Sequence, residues 1–123
     1  MEIRVKVGIV NERNEQFIGP GLVHLLDGIR EHKSINKAAK AMGLSYKKAH
    51  RMITKLEADL KEQILIRTRG GTARGGTEIT PLGEIYIAEF KRLEQKVQQL
   101  TKNEFRVFEK QVARKRKSTD TKS

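Results

Sequence analysis

The chain has 123 residues, no cysteine and a formal net charge of +11, with an isoelectric point of about 10.1. This length fits one domain with an extension, and the lack of cysteine excludes thiolate metal sites and thiol nucleophiles. No run is apolar over the ~18 residues that a membrane span needs, and the first ten residues do not form a secretory signal, so we expect a cytoplasmic protein.

Basic residues are concentrated in one stretch of the chain that contains no carboxylate. Between His32 and Leu56 there is no Asp or Glu, whereas acids and bases are mixed elsewhere. An isoelectric point above ~9 is typical of a polyanion-binding domain. A local acid-free stretch is explained better by a phosphate-facing surface than by solubility alone. The basic residues of this stretch are Lys33, Lys37, Lys40, Lys47, Lys48, Arg51 and Lys55.

The N-terminal half of the chain predicts a strand followed by three helices. Apolar and charged side chains alternate over Glu2–Val10, which predicts a half-buried strand, and a polar turn follows. Pro20 suits the first turn of a helix that runs to about residue 31. Ser34 and Ser45 are predicted N-caps of helices over 35–42 and 46–60. Gly43 is expected to adopt a left-handed conformation at the turn between these two helices.

The C-terminal half predicts a hairpin and one long helix. Two brief strands, at 64–67 and 78–80, flank a Gly-rich loop. Thr80 is the predicted cap of the last helix and Pro81 is its first residue. The apolar rhythm of this helix loosens around 101–103, where we expect a kink or a break.

Two short helices that meet at a sharp turn form the central motif, over Ile35 to Thr54. Ala39 is small enough to let the helices approach and Gly43 permits the turn, which are the steric requirements of a helix-turn-helix. The second helix of such a motif lies in the major groove, so its outward residues are expected to carry recognition. A random pair of amphipathic helices is the alternative interpretation.

The Gly-rich hairpin that follows this motif indicates a wing. Arg69 and Arg74 lie at or near its tip, where a flexible backbone and arginine suit a phosphate or minor-groove contact. A plain surface loop is the alternative, but the position directly after the recognition helix favours the wing. A phosphate-binding P-loop is excluded because its sequence pattern is absent.

Individual residues of the outward face have alternative roles. Arg51 and Lys55 lie one turn apart, and Arg51 can read guanine bidentately, although both could be solvated charges. Tyr46 either contacts the DNA or covers the turn, and Lys37 and Lys40 suit phosphate anchoring better than base reading. The predicted DNA-contacting set, with the two capping serines included, is Ser34, Lys37, Ser45, Tyr46, Lys47, Lys48, His50, Arg51, Thr54, Lys55, Arg69 and Arg74.

An apolar seam with heptad spacing on the last helix favours a homodimer. A helix of about thirty residues cannot be covered by so small a domain, so its excess apolar surface suits a second copy. Packing within one chain is the alternative. The seam residues are Tyr86, Phe90, Leu93, Val97 and Leu100.

Several short motifs in this order carry a family resemblance. They are Ser34-Ile35 with Ala38-Ala39-Lys40, Gly43-Leu44-Ser45-Tyr46-Lys47 with Ala49, Ile64-Leu65-Ile66, Gly70-Gly71 with Gly75-Gly76, and Thr80 with Gly83. Through them, residues 18 to about 93 resemble the N-terminal DNA-binding domain of the molybdate-responsive ModE regulators. That domain is similar to the winged helices of LysR-type regulators.

The resemblance implies a three-helix core with a wing and a palindromic operator. It also implies dimerisation through the first and last helices, which adds Leu22 and Leu26 to the predicted dimer interface. ModE proteins carry C-terminal molybdate-binding β-barrel domains, and no β pattern follows the last helix here. We therefore expect neither molybdate control nor a small-molecule site within these residues. The ModE recognition helix has Trp at the position of His50, so the operator sequence is not carried over.

The expected fold is mainly α with a small β-hairpin wing. A winged helix-turn-helix DNA-binding domain is predicted at 1–80 and a long dimerisation helix at 81–112. The basic tail at 113–123 is predicted to be disordered, because it cannot bury enough apolar surface to order itself. This tail either adds phosphate contacts or keeps the protein soluble.

The favoured function is a sequence-specific transcriptional regulator that binds double-stranded DNA as a dimer on a palindromic operator. A non-specific architectural DNA-binding protein is the second hypothesis, because the charge is high. A winged-helix interaction module, whose separate partner carries the sensor, is the third. We expect no enzyme, cofactor or metal site, because nucleophile–base pairs, paired carboxylates and metal-ligand spacings are absent.

Overall fold

The computed structural model describes residues 1–68 and 76–120. It confirms the predicted fold class, which is mostly helical with a small antiparallel wing and a long last helix. The elements are β1 Ile9–Val10, β2 Gln16–Ile18, α1 Pro20–His32, α2 Ile35–Ala41, α3 Tyr46–Leu60, β3 Leu65–Thr68, β4 Gly76–Ile79 and α4 Pro81–Asp120.

The predicted helix starts are confirmed by their capping hydrogen bonds. The Ser34 hydroxyl accepts from the backbone N–H of Lys37 at 3.1 Å, so α2 begins where the sequence indicates. The Thr80 hydroxyl accepts from the N–H of Gly83 at 3.0 Å, and Pro81 opens α4. Each bond satisfies one of the backbone donors that a helix leaves unpaired at its start.

The core forms where α1, α2 and α3 pack together. Leu25 and Ile29 of α1 are fully buried, as are Ala39 and Ala49 of the two shorter helices. A Cβ at Gly28 would stand 3.0 Å from the Ala38 Cβ, so α1 and α2 approach closely there. Small residues at this crossing let the larger side chains interlock at interior packing density.

The wing is anchored to the helices at its base. Strands β3 and β4 pair antiparallel, with Leu65 opposite Ile79. The backbone N–H of Thr77 donates to the carbonyl of Lys33 at 3.0 Å. Lys33 is the left-handed C-cap of α1, with φ 55°. The wing is therefore hydrogen-bonded to the segment that joins α1 to the helix-turn-helix.

Two side chains fix the junctions on either side of the wing. The Glu57 carboxylate accepts from the N–H groups of Ile64 and Leu65 at 2.8 and 3.1 Å, which holds the chain as it enters β3. The Thr80 hydroxyl donates to the carbonyl of Gln63 at 2.9 Å, which holds the start of α4 against the same segment.

The predicted strand over Glu2–Val10 is wrong except at its end. Only Ile9–Val10 pairs with another strand, β2, and that strand is three residues long. Alternation alone does not make a strand, because the backbone groups need a partner ladder. The ladder cannot extend further because β2 ends at Ile18 and α1 begins at Pro20, so residues before Ile9 have no strand opposite them. The turn at 11–15 joins the two short strands: Asn14 adopts φ 63°, and the Asn11 N–H donates to the Glu15 carbonyl at 2.9 Å.

The predicted break near residue 101 is also wrong, since α4 is continuous from Pro81 to Asp120. The tail that the sequence predicted to be disordered is helical over 113–120, and its residues 121–123 lie outside the described residues. The Thr101 hydroxyl donates to the carbonyl of Val97 at 2.7 Å, and Thr119 does the same to Lys115 at 3.0 Å. These bonds satisfy each hydroxyl within the helix, so it does not compete with the helical backbone. None of the helices described is long and apolar enough to cross a membrane.

Two compact units divide the chain, and their boundary differs from the predicted one. The first is Val7–Lys91, and the second combines Met1–Lys6 with α4 from Arg92 onward. The winged-helix unit extends past residue 80 because Ile87 and Phe90, on the first turns of α4, are buried in its core. In the second unit, the Gln98 side-chain amide donates to the Val5 carbonyl at 3.0 Å.

Candidate nucleic-acid interface

The helix-turn-helix has the geometry that the sequence predicts. Gly43 lies at φ 70°, a conformation that a side chain would strain. The N–H of Leu44 returns to the carbonyl of Ala39 at 2.9 Å, which closes the turn. The Ser45 hydroxyl then accepts from the N–H of Lys48 at 3.1 Å and starts α3. The turn and the cap together fix the direction in which α3 leaves the core.

The outward face of α3 is exposed and carries positive charge. Its inner side buries Ala49, Ile53 and Leu56. A period of 3.6 residues then directs the intervening side chains to solvent. The exposed residues of the predicted set on this helix are Tyr46, Lys47, Lys48, Arg51 and Thr54.

Tyr46 and His50 form a stacked pair on this face. Their ring centroids lie 5.8 Å apart with an interplanar angle of 27°. His50 is half-buried, whereas Tyr46 is 49% exposed. Residues one helical turn apart lie side by side on a helix, so the two rings support each other. They give the charged face a flat apolar patch near the start of α3.

Lys55 differs from the other basic residues of α3 because it is held by carboxylates. Its ammonium lies 3.3 Å from Glu15 Oε1 and 3.4 Å from Asp59 Oδ2. Asn11 donates to the same Glu15 oxygen at 3.0 Å, and Arg13 does so at 2.9 Å. Lys55 thus joins α3 to the turn between β1 and β2, and we do not retain it as a DNA-contacting residue.

Glu15 is strongly acidic in this cluster. The hydrogen bond from Asn11 lowers the pKa of its carboxyl group the most, followed by those from Arg13 and Lys55, to about 2. A carboxylate that accepts several hydrogen bonds is stabilised in its charged form. Glu15 therefore stays ionised at any physiological pH.

The remaining predicted DNA-contacting residues differ in their exposure and in their hydrogen bonds. Lys37 is exposed on α2 and remains a candidate phosphate contact. Ser34 is half-buried and, like Ser45, uses its hydroxyl as a helix cap. Arg69 and Arg74 lie outside the described residues.

Sequence reasoning missed Arg67 as a candidate DNA contact. This basic residue is exposed on the wing strand β3, opposite Thr77 of β4. Alternation along β3 would not have identified it, because a period of two places Arg67 on the same face as buried Leu65; the only signal in the sequence is a basic residue next to the Gly-rich loop.

The predicted dimer interface is only partly available on the surface. Leu22, Leu26 and Phe90 are 5%, 2% and 3% exposed within the single chain, so their prediction as interface residues is wrong. Their apolar spacing reflects the monomer core. Leu93 and Leu100 are 36% and 62% exposed on α4.

Two further exposed apolar residues of α4 were missed. Ile85 is 58% exposed and Val107 is 47% exposed. Val107 lies seven residues after Leu100, which itself lies seven after Leu93, so it continues the heptad past the predicted end of the seam. The expectation of a helix break concealed this continuation.

The second unit also contains a groove that the sequence did not indicate. It has a volume of about 480 Å³ and is lined by Ile3, Leu100, Thr101, Glu104, Phe105 and Phe108. The groove is open and mainly apolar. Among the described residues, no group of His, Asp or Glu side chains could hold a metal ion.

Curated proteins named for molybdenum transport and molybdenum-pterin binding resemble part of this chain. It is 38% identical over 72 residues to the molybdenum transport protein ModE of Azotobacter vinelandii, covering 58% of this chain and 27% of that protein. It is 37% identical over 93 residues to the molybdenum-pterin-binding protein MopB of Rhodobacter capsulatus, covering 76% and 34%. The chain thus spans about a quarter to a third of the length of these relatives.

Solved structures show the same fold. The BenM DNA-binding domain in complex with benA site 1 DNA matches with a TM-score of 0.53 at 23% identity, over 73% of this chain and 96% of that one. The CbnR DNA-binding domain in complex with DNA matches with a TM-score of 0.52 at 23% identity, over 64% and 85%.

The family is established by a match over the helix-turn-helix and the wing. The model of the bacterial regulatory helix-turn-helix proteins of the lysR family covers residues 21–84, just over half of the chain. This confirms the prediction of a LysR-like winged helix-turn-helix. The chain belongs to the lysR family of bacterial regulatory helix-turn-helix proteins.

Proposed function

We propose that this chain is a sequence-specific regulator that binds double-stranded DNA as a dimer on a palindromic operator. The observation that carries the proposal is the outward face of α3, which is exposed, capped by Ser45 and free of carboxylates up to Leu56. A helix so presented by a helix-turn-helix fits the major groove. Relatives named as transcriptional regulators in Haemophilus influenzae and Yersinia pestis support the proposal.

Base reading is assigned to the N-terminal two turns of α3. Arg51 has a planar guanidinium that can donate two hydrogen bonds to one guanine. The Tyr46 ring, supported by His50, offers an apolar surface for a thymine methyl group. Lys47 and Lys48 add charge beside them. A face of this mixed chemistry favours sequence reading over the uniform basic surface that an architectural protein requires.

Phosphate contacts are assigned to residues that flank the reading face. Lys37 is exposed on α2, and Arg67 is exposed on the wing strand. Such contacts set the register of the protein on the duplex but do not read its sequence. They strengthen binding to all sequences and make it weaker as salt increases.

Dimer formation is assigned to the exposed heptad residues of α4. Leu93, Leu100 and Val107 repeat every seven residues and are 36%, 62% and 47% exposed. Such a row supplies one of the two apolar positions per heptad that two helices bury in a coiled coil. Two-fold pairing would present two α3 helices and would require an inverted repeat in the DNA.

The test is selection of bound duplexes from fragmented genomic DNA at physiological salt, with the purified full chain. We expect enrichment of an inverted repeat whose half-sites are about one helical turn, or a multiple of it, apart. Binding without an enriched motif would replace the proposal with an architectural role. Absence of DNA binding would leave the winged helix as a scaffold for a partner that carries the sensor.

A further inference from the structure

The C-terminal half of α4 carries a row of basic side chains. Lys102, Arg106, Lys110 and Arg114 follow one another at intervals of four residues, and all four are exposed. Residues four apart lie on the same side of a helix, about 6 Å apart along its axis. We call these four residues the α4 basic row. Its last residue, Arg114, lies in the segment that the sequence predicted to be disordered.

The α4 basic row places positive charges one helical turn apart, with a carboxylate one turn away from only one of them. Lys102, Lys110 and Arg114 have no Asp or Glu three or four residues away, and Arg106 has only Glu109. Within the described part of the chain, none of the four forms an ion pair. Like charges one turn apart destabilise a helix, so the row is not explained by helix stability. An anionic partner would remove this repulsion.

The opposite side of the same helix is apolar. Phe105 and Phe108 have ring centroids 5.7 Å apart, and Val112 continues their line. A basic face opposite an apolar one also suits a helix that lies on an anionic membrane, so the test below includes anionic vesicles. DNA is the favoured polyanion because the same chain presents a basic helix-turn-helix face.

We infer that the α4 basic row is a second DNA-binding surface, which takes the phosphate backbone of a duplex without reading its sequence. It lies in the compact unit that does not contain α3. The inference rests on the proposed function only for the choice of DNA as the polyanion. The row has the ammonium and guanidinium groups that phosphate contacts use.

The test uses two variants with the same change in charge. Lys110→Gln with Arg114→Gln alters the basic row, whereas Lys115→Gln with Arg116→Gln alters neighbouring residues that point to other sides of the helix. Glutamine has a helix propensity close to those of lysine and arginine, and circular dichroism would verify that helicity is unchanged. Both pairs are placed in a full chain that also carries Lys48→Ala and Arg51→Ala, which weaken the α3 face.

The readout is the salt dependence of binding to a random-sequence duplex. Each lost phosphate contact lowers the slope of log K against log salt by ~0.9, so we expect the row variant to lose about 1 to 2 in slope. The Lys115 and Arg116 variant should keep the parental slope. Equal losses in both variants would show a general charge effect and overturn the inference, as would no loss in either.

Two further outcomes separate this inference from the proposed function. If the row variant loses binding to anionic vesicles but keeps its binding to the duplex, the inference is overturned in favour of a membrane surface. A row-dependent slope with no enriched inverted repeat in the genomic selection would remove the proposed function and leave the second surface in place. The row variant in the otherwise natural sequence should still enrich the same repeat.

Discussion

The ammonium group of Lys55 lies 3.3 Å from Glu15 Oε1, across forty residues of sequence. The ion pair connects α3 to the turn between the first two strands. Asp59 completes it, with a side chain only 10% exposed. A basic residue on the proposed reading helix is thereby neutralised within the protein, so position on a helix face is insufficient to assign a DNA contact.

Arg51→Ala and Lys55→Ala should therefore differ in their effects on DNA binding. We expect Arg51→Ala to cost ~1–3 kcal/mol of specific binding and to relax preference at one base position. Lys55→Ala should reduce affinity by less than about threefold, as expected of a charge with no direct base contact. Titration of the selected operator and of single-base variants would measure both. Equal losses for the two variants would contradict the placement of Lys55.

The contribution of Glu15 to the stability of the folded protein should decrease at acid pH. The pKa of Glu15 falls from 4.5 to about 2 in the folded protein. Its contribution is therefore fully present above pH 4.5 and is lost as the pH falls towards 2. We expect Glu15→Gln to lower the Tm at neutral pH, with a difference from the wild type that closes on acidification. Glu62→Gln is the control, and a constant difference for Glu15→Gln would refute the assignment.

Gly83 allows α4 to pack against the base of the wing. A Cβ there would stand 2.7 Å from Ile79 Cγ2 and 3.0 Å from the Ile64 carbonyl oxygen. We expect Gly83→Ala to reduce the free energy of unfolding by ~1–3 kcal/mol, the usual cost of overpacking a core. Gly21→Ala is the matched control, because a Cβ at Gly21 meets no atom within 4 Å. Urea denaturation would compare them, and equal stability would contradict this packing.

The heptad row of α4 can be tested by a single charge. Leu100 is 62% exposed, so Leu100→Glu should leave the fold intact while placing a carboxylate in the proposed seam. We expect sedimentation to show a monomer and the affinity for an inverted repeat to fall at least about tenfold, or ~1.4 kcal/mol. Gln99→Glu introduces the same charge beside the seam and should remain dimeric. A dimeric Leu100→Glu protein would exclude this interface.

Local chemistry made much of the fold predictable from the sequence. Ser34, Ser45 and Thr80 each accept a hydrogen bond from the backbone three residues later, and Gly43 has the only positive φ among the described glycines. Such features depend on adjacent residues. Their spacing therefore predicts the helix starts and the turn.

Features that depend on distant partners could not be predicted in the same way. The ion pair of Lys55 with Glu15 joins residues forty apart, and the predicted turn after Val10 does not by itself show that it packs against α3. Leu26 and Phe90 have the spacing of interface residues, but periodicity cannot distinguish a face buried in the monomer from one buried in a dimer. The continuity of α4 at Thr101 could not be predicted either, because a helix does not require an unbroken apolar stripe and the loosened apolar pattern there resembles a break.

The bond from the Thr77 N–H to the Lys33 carbonyl has a consequence for local opening of the protein. A β-hairpin that is joined only at its own strands can separate from its domain at little cost, and its amides exchange with solvent quickly. Here Thr77 is only 8% exposed. Its amide can lose its hydrogen bond to Lys33 only when the end of α1 also moves. Its hydrogen exchange should therefore follow global unfolding of the winged-helix unit, as expected if the wing base and the helix-turn-helix open as one cooperative unit.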